Sequence, residues 1–324
     1  MRDQYGRTID YMRISLTDRC NLRCIYCMPE EGICQIPREE LLGQDEIIKI
    51  CRLAGELGIS RIKLTGGEPL VRRICVPLVK ELKALPGISQ VTLTTNGILL
   101  KEQLPGLMEA GLDALNISLD TLEAENFRRI TRRNELDRTL EGLEAALSYS
   151  SLKVKINCVP TFQTDQELLQ VAALARENPL HVRFIEMMPI GLGKDFTARD
   201  ENSVKEILEK KYGILTPVSE ILGNGPCHYY TLGGFKGKIG FISALSHKFC
   251  NQCNRVRLTS TGYLKGCLQF ENGVDLKALL RNGASDEILK NALQKAIFEK
   301  PAGHNFQEKK NGREESHIMS QIGG

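Results

Sequence analysis

The chain has 324 residues, enough for one large α/β domain with a smaller companion or for two domains. Its 43 basic and 40 acidic residues leave a net charge of +3, too small a surplus for a nucleic-acid binder, so any anionic partner should be small and met by a few placed cations. Hydrophobic content of 42% supports a real core, the start Met1-Arg2-Asp3-Gln4 is not an apolar leader, and no apolar run could span a bilayer; the expectation is a cytoplasmic protein without a membrane partner.

Residues 9–15 alternate as a first strand and lead into Cys20-Asn21-Leu22-Arg23-Cys24-Ile25-Tyr26-Cys27. Residues 44–57 read as a helix with positions 47, 50, 51, 54 and 57 on one face. A strand over 59–64 ends in Thr65-Gly66-Gly67-Glu68-Pro69, and a helix over 76–85 follows. The pattern then repeats: strand 90–95 ending at Asn96-Gly97, helix 101–110, strand 114–120, a helix from about 135, and strand 153–159. Thr164 with Glu167 forms a capping box ahead of the next helix, and residues 181–185 make a sixth strand. Six such units argue for parallel βαβ construction, read as an incomplete (β/α)6 TIM-like barrel with its active face at the strand C-termini. A doubly wound sheet has the same periodicity. A helix over 201–211, a Gly/Pro-containing linker over 216–226, short strands over 229–232 and 237–241, and helices over 275–280 and 285–298 complete a smaller α+β part. The domain expectation is 1–215, 216–306 and a tail over 307–324.

Eleven cysteines would be odd as disulfides in a reducing compartment, and six of them fall into two tight groups, which argues for metal. Cys34, Cys51, Cys75, Cys158 and Cys227 are scattered and read as buried or idle thiols. Cys20, Cys24 and Cys27 are one ligand short of tetrahedral zinc, whereas three thiolates on a [4Fe–4S] cluster leave one iron open for chemistry. Cys250, Cys253 and Cys267 form the second group; with His247 they could make a zinc ribbon, and without it a second cluster. Arg255 and Arg257, spaced i, i+2 on a strand, share one face and suit phosphate oxygens, which favours the cluster.

The first octapeptide, with Tyr26 before its last cysteine, resembles the radical S-adenosylmethionine (SAM) enzymes. Further matches follow in order: Arg13-Ile14-Ser15-Leu16-Thr17-Asp18-Arg19-Cys20-Asn21, the Thr65–Pro69 turn, Cys253-Asn254-Arg255-Val256-Arg257, Cys267 and the final Gly323-Gly324. Over nearly the whole length the chain is similar to the GTP 3′,8-cyclase family of molybdenum cofactor biosynthesis. The resemblance implies a radical SAM lyase that converts GTP to 3′,8-cyclo-7,8-dihydro-GTP with two [4Fe–4S] clusters and SAM as cofactors. It assigns Cys20, Cys24 and Cys27 to the SAM cluster and Cys250, Cys253 and Cys267 to the second. Tyr26, Gly67, Ser118 and Met188 would line the SAM site. Arg13, Lys63, Thr94, Lys155, Arg183, Arg255, Val256 and Arg257 would bind GTP, and Gly323 and Gly324 would act catalytically by reaching back into the pocket. Lys63 departs from the family's usual arginine, keeping the charge and losing a bidentate contact. An external electron donor, a cyclic pyranopterin monophosphate synthase receiving the product, and a monomer or homodimer are also implied. Two alternatives are another two-cluster radical SAM enzyme acting on a peptide or other substrate, and a non-catalytic metal-binding module.

Overall fold

Each strand of the chain's central sheet carries apolar and polar residues on opposite faces, and this alternation decides the architecture. A computed structural model describes residues 1–220, 222–306, 315 and 317–323. Strands β1 (Tyr11–Ser15), β2 (Arg61–Thr65), β3 (Gln90–Thr95), β4 (Ala114–Ser118), β5 (Lys153–Cys158) and β6 (His181–Ile185) lie side by side, parallel and in chain order. Helices α1 (Gln44–Glu56), α2 (Cys75–Ala84), α3 (Leu100–Glu109), α4 (Ala124–Thr131), α5 (Leu136–Leu147) and α6 (Asp165–Glu177) supply the crossovers. One face of these strands presents Met12, Ile14, Ile62, Leu64, Val91, Leu93, Leu115, Ile117, Ile156 and Val182 to the hydrophobic core, all inaccessible to solvent. The other face carries the polar positions.

The C-terminal segment extends this sheet at both edges. After α7 (Glu201–Tyr212) come β7 (Thr216–Val218), β8 (His228–Thr231) and β9 (Ile239–Ile242), with β9 parallel to β6 and the other two antiparallel beyond it. Strand β10 (Arg255–Leu258) then pairs parallel with β1 on the opposite side, followed by β11 (Tyr263–Lys265) and β12 (Gly273–Asp275). The result is one twelve-stranded mixed sheet that begins at β12 and ends at β7, flanked at its β12 edge by α8 (Leu276–Arg281) and α9 (Asp286–Phe298). The incomplete barrel is therefore present as expected. The division anticipated at 215/216 falls where β7 begins.

Local signals behave as the sequence chemistry dictates. The Thr164 hydroxyl accepts from the Glu167 backbone N–H at 3.2 Å while the Glu167 carboxylate accepts from the Thr164 N–H at 2.8 Å. Ser285 caps α9 through the Ile288 N–H at 3.3 Å. The segment 216–226 is a correction: its first three residues pair with β8 as an edge strand, where Pro217 needs no ladder donor. Helix α4 and strands β11 and β12 are also findings of the structure; the two strands are three residues each, too short for periodicity to announce. Among the described residues no helix is long and apolar enough to cross a membrane.

Candidate active site

The strand C-termini and the second cysteine loop enclose one cavity of about 340 Å³. All six clustered cysteines line it, so two groups about 230 positions apart in sequence share one chamber. Every cysteine of both groups is a free thiol.

The first group is held by backbone. The Gly67 N–H donates to the Thr17 carbonyl at 2.7 Å and the Glu68 N–H to the Arg19 carbonyl at 2.8 Å, stitching the end of β2 to the approach of the cysteine loop. A Cβ on Gly66 would stand 2.6 Å from the Thr17 oxygen, and one on Gly67 2.4 Å from the Arg19 oxygen. The two glycines thus permit close approach of protein backbone to protein backbone. Glu68 is buried and accepts from the Asn96 N–H and the Thr95 hydroxyl, each at 2.7 Å, tying β2 to β3; burial, opposed by these bonds, leaves its carboxyl at about 7. The Tyr26 hydroxyl donates to Asp120 at 2.6 Å. Burial raises the Asp120 carboxyl to about 6 against the hydrogen bonds from Tyr26 and the Val159 N–H. In the sequence Asp120 is only the last residue of the strand expected over 114–120; its bond to Tyr26, 94 residues away, orients the ring within the cysteine motif.

The thiols of the two groups differ electrostatically. Burial pushes Cys20 up to about 11 and Cys27 up to about 12, and the neighbouring Cys27, Cys20 and Asp120 add to burial in raising Cys24. At Cys253 burial acts the same way, but the charges of Arg255 and Lys300 and hydrogen bonds from Arg255 outweigh it and bring the thiol down to about 6. Lys300 also donates to the Gly266 carbonyl beside Cys267.

A mononuclear zinc would draw its sulfurs to roughly 3.8 Å from one another. Among the described residues the group whose ligand atoms all lie within 4.8 Å is Glu271, Glu315 and His317, and neither cysteine triplet shows that spacing. His247 is exposed and faces Glu201 at 3.4 Å, so the zinc-ribbon alternative loses its fourth ligand. The wider triplets, each with three unpaired sulfurs on a common cavity, fit a cubane held by one thiolate per iron.

The cationic residues share the inward parity of the strands. Arg13 is in register with Lys63 on one side and Arg257 on the other; Asn116 lies between Thr94 and Lys155, and Asn157 beside Arg183. Arg13, Thr94, Arg255 and Arg257 line the cavity, as do Tyr26, Gly67, Ser118 and Met188. Lys63, Lys155 and Arg183 lie behind this lining. Burial first, then Arg183, Arg13 and Lys155, press the Lys63 ammonium well below its ordinary value. Burial and Arg183 bring Lys155 down to about 8; its ammonium donates to the Leu222 carbonyl and sits 5.6 Å above the Tyr229 ring. Arg183 donates to the Asn157 side chain, which itself faces the cavity, while its Nε is buried without a partner among the described residues. Val256 differs: its side chain is fully buried on the opposite face among the core residues, so only its backbone belongs to the site side of β10.

The tail returns to the same place. Helix α10 (Met319–Ile322) packs Ile322 against Ile190 and Leu268, beside Met188. Its next residue, Gly323, turns through φ +75° and accepts at its carbonyl from the Arg257 guanidinium at 2.9 Å. Gly324 lies outside the described residues. Lys300, His304 and Phe306 also line the cavity; they sit in an irregular stretch after α9 that carries no motif.

The Radical SAM superfamily model matches residues 14–175, and the Molybdenum Cofactor Synthesis C model matches residues 180–306. A Clostridium perfringens protein named GTP 3′,8-cyclase is 46% identical over 326 residues, covering 100% of both chains. The chain belongs to the GTP 3′,8-cyclase family. Family members of the same name from Syntrophomonas wolfei and Moorella thermoacetica are 46% and 45% identical, again over 100% of each chain. The solved structure of Streptococcus suis SuiB bound to S-adenosylmethionine superposes with a TM-score of 0.63 at 15% identity, covering 91% of this chain and 65% of that one; it establishes the fold. Membership in the family brings two [4Fe–4S] clusters and SAM as cofactors.

Proposed function

We infer that the chain cyclises GTP to (8S)-3′,8-cyclo-7,8-dihydroguanosine 5′-triphosphate, the first step of molybdopterin biosynthesis. The relatives' name and this chain's own charge distribution support that reading. One observation carries it: Arg13, Lys63, Lys155, Arg183, Arg255 and Arg257 project from one face of the sheet, and among the described residues the charges that most perturb Lys63 are Arg183, Arg13 and Lys155, while Arg257 feels Arg13 and Arg255 against the thiols of Cys267 and Cys253. Buried cations gathered in this way are costly unless an anion of several charges joins them. A triphosphate supplies that anion, and guanidiniums meet its oxygens bidentately.

Cys20, Cys24 and Cys27 would hold one cluster and Cys250, Cys253 and Cys267 the other. When bound, SAM on a reduced [4Fe–4S] cluster supplies a 5′-deoxyadenosyl radical at this cavity. The chain's own residues position and shield. Tyr26, oriented by Asp120, together with Gly67, Ser118 and Met188, forms the wall assigned to SAM. Arg13, Arg255 and Arg257, in the cavity wall, would hold the triphosphate end of GTP, with Lys63, Lys155 and Arg183 adding positive charge from behind it, so that the ribose and base extend between the two cysteine groups and C3′ and C8 are held at reacting distance. Gly323, drawn in by Arg257, closes the chamber against water. Residues 1–215 then act as the SAM-handling part, 216–306 as the part carrying the second cysteine group and the paired arginines, and 307–324 as the returning tail. The electron comes from an external donor, and the product passes to a cyclic pyranopterin monophosphate synthase in the cytoplasm, with the chain acting as monomer or homodimer.

The test compares GTP with guanosine in equilibrium binding to anaerobically reconstituted protein. Arg255→Ala combined with Arg257→Ala should weaken GTP by roughly two to four orders of magnitude, at about 1.5–3 kcal/mol for each charge-assisted contact, and leave guanosine nearly unchanged. Equal losses for both ligands would remove the phosphate assignment.

A further inference from the structure

The first seven residues carry no motif and take no part in the cavity, yet they reach the second cysteine group from outside. Residues 3–6 form a tight turn, with the Gly6 N–H donating to the Asp3 carbonyl at 3.0 Å and Gly6 at φ +77°. The Asp3 carboxylate accepts from the Tyr5 and Arg7 backbone N–H groups at 3.0 and 2.9 Å, and from Arg7 Nε at 2.6 Å. Both side chains of this ion pair are buried.

A guanidinium has five N–H donors in a fixed plane, and here all five are used. With Nε on Asp3, Nη1 donates to the carbonyls of Cys250 and Ala302, each at 2.7 Å. Nη2 donates to Pro301 at 2.7 Å and to Lys300 at 3.5 Å. One side chain thus ties the peptide of a cluster cysteine to the irregular stretch that follows α9. That stretch touches the group twice more. The His304 N–H points at Cys250 Sγ at 3.4 Å, and the Lys300 ammonium bonds the Gly266 carbonyl next to Cys267. Cys250 and Cys267 belong to separate loops joined only through β10 and β11, so the 300–304 stretch is the strap between them and Arg7 is what fastens the strap.

We propose that Arg7, oriented by Asp3, is a positioning residue of the second cluster site, fixing the Cys250 peptide and the 300–304 strap so that Cys250, Cys253 and Cys267 face one centre. The proposal rests on the reading that these three cysteines hold a cluster. Lysine cannot replace it, because three donors on a single ammonium do not reach four carbonyls across a plane. The role is local: none of the five bonds involves the Cys20–Cys27 loop.

Two backgrounds separate the sites. With Cys20, Cys24 and Cys27 replaced by serine only the second site can load, and with Cys250, Cys253 and Cys267 replaced only the first can. Arg7→Met should lower reconstituted iron per chain by about fivefold or more in the former, broaden the paramagnetic resonance of what remains, and speed iron loss to a chelator about tenfold. In the latter background it should leave iron content within about twofold. Arg7→Lys should resemble Arg7→Met, and Asp3→Asn should act in the same direction more weakly. Unchanged iron in both backgrounds overturns the proposal. So do equal losses in both, or an Arg7→Met protein that fails to fold, since either makes Arg7 a global element. If the background holding Cys250, Cys253 and Cys267 takes up no iron before Arg7 is touched, the cluster assignment itself is refuted and the proposal falls with it.

Discussion

Replacing Lys63 with methionine separates the cost of the cationic cluster from its use. The ammonium is buried, flanked in register by Arg13 and Thr92, and pressed well below its ordinary value by burial and by Arg183, Arg13 and Lys155. A group whose folded value lies below its unfolded one opposes folding at neutral pH, and the opposition fades as pH rises toward the unfolded value. Methionine keeps the volume and removes the charge. Replacing a buried, poorly compensated charge by an apolar isostere stabilises by about 1–4 kcal/mol, which in a chain of this size raises the melting temperature by roughly a few degrees. The same change removes one positive charge from behind the cavity lining, worth about 1–2 kcal/mol or roughly 5–30-fold in Kd for a charge near but not touching a bound triphosphate. Thermal melts without nucleotide at pH 7 and GTP titration of the same preparation read the two quantities. Opposite signs are expected: a firmer free protein and a weaker GTP complex. A variant that melts lower, or that binds GTP within twofold of the parent, would refute the electrostatic reasoning.

Two further outcomes follow from the same geometry. Lys155 titrates at about 8 in the free protein. Its ammonium is charged below that value and increasingly neutral above it, so GTP affinity should be flat up to about pH 8 and fall by up to tenfold per unit beyond it, with proton uptake on binding; calorimetry in buffers of different ionisation enthalpy measures the uptake, and Lys155→Arg should abolish the slope. Truncation after Ile322 removes the carbonyl that accepts from Arg257 and little packing; melting should stay within a degree or so while product formation falls about tenfold or more, and unchanged turnover would make the tail dispensable.

Arg255 and Arg257 were legible from their i, i+2 spacing on a strand. Arg13, Lys63, Thr94, Ser118, Lys155 and Arg183 were implied by the family resemblance alone; the sheet register shows that they share the inward parity with the two arginines. Val256 shows the limit: it belongs to the motif, and the same parity turns its side chain into the core. What was not legible depends on pairing between distant segments. The Tyr26–Asp120 bond spans 94 residues and the contacts of Arg7 with the 300–302 carbonyls nearly the whole chain. Neither partner stands in a pattern that names the other. Short edge strands such as β7 and β12 are fixed by their neighbours' hydrogen bonds and not by their own residues.

The central claim is that GTP is cyclised in one cavity lined by both cysteine groups, with Arg13, Arg255 and Arg257 in its wall and Lys63, Lys155 and Arg183 behind it. Its most direct measurement is an anaerobic incubation of reconstituted protein with reductant, SAM and GTP deuterated at C3′. The account predicts deuterium in 5′-deoxyadenosine together with a cyclised nucleotide that retains its triphosphate. Deoxyadenosine formed without deuterium, or GTP recovered intact while SAM is cleaved, would contradict it.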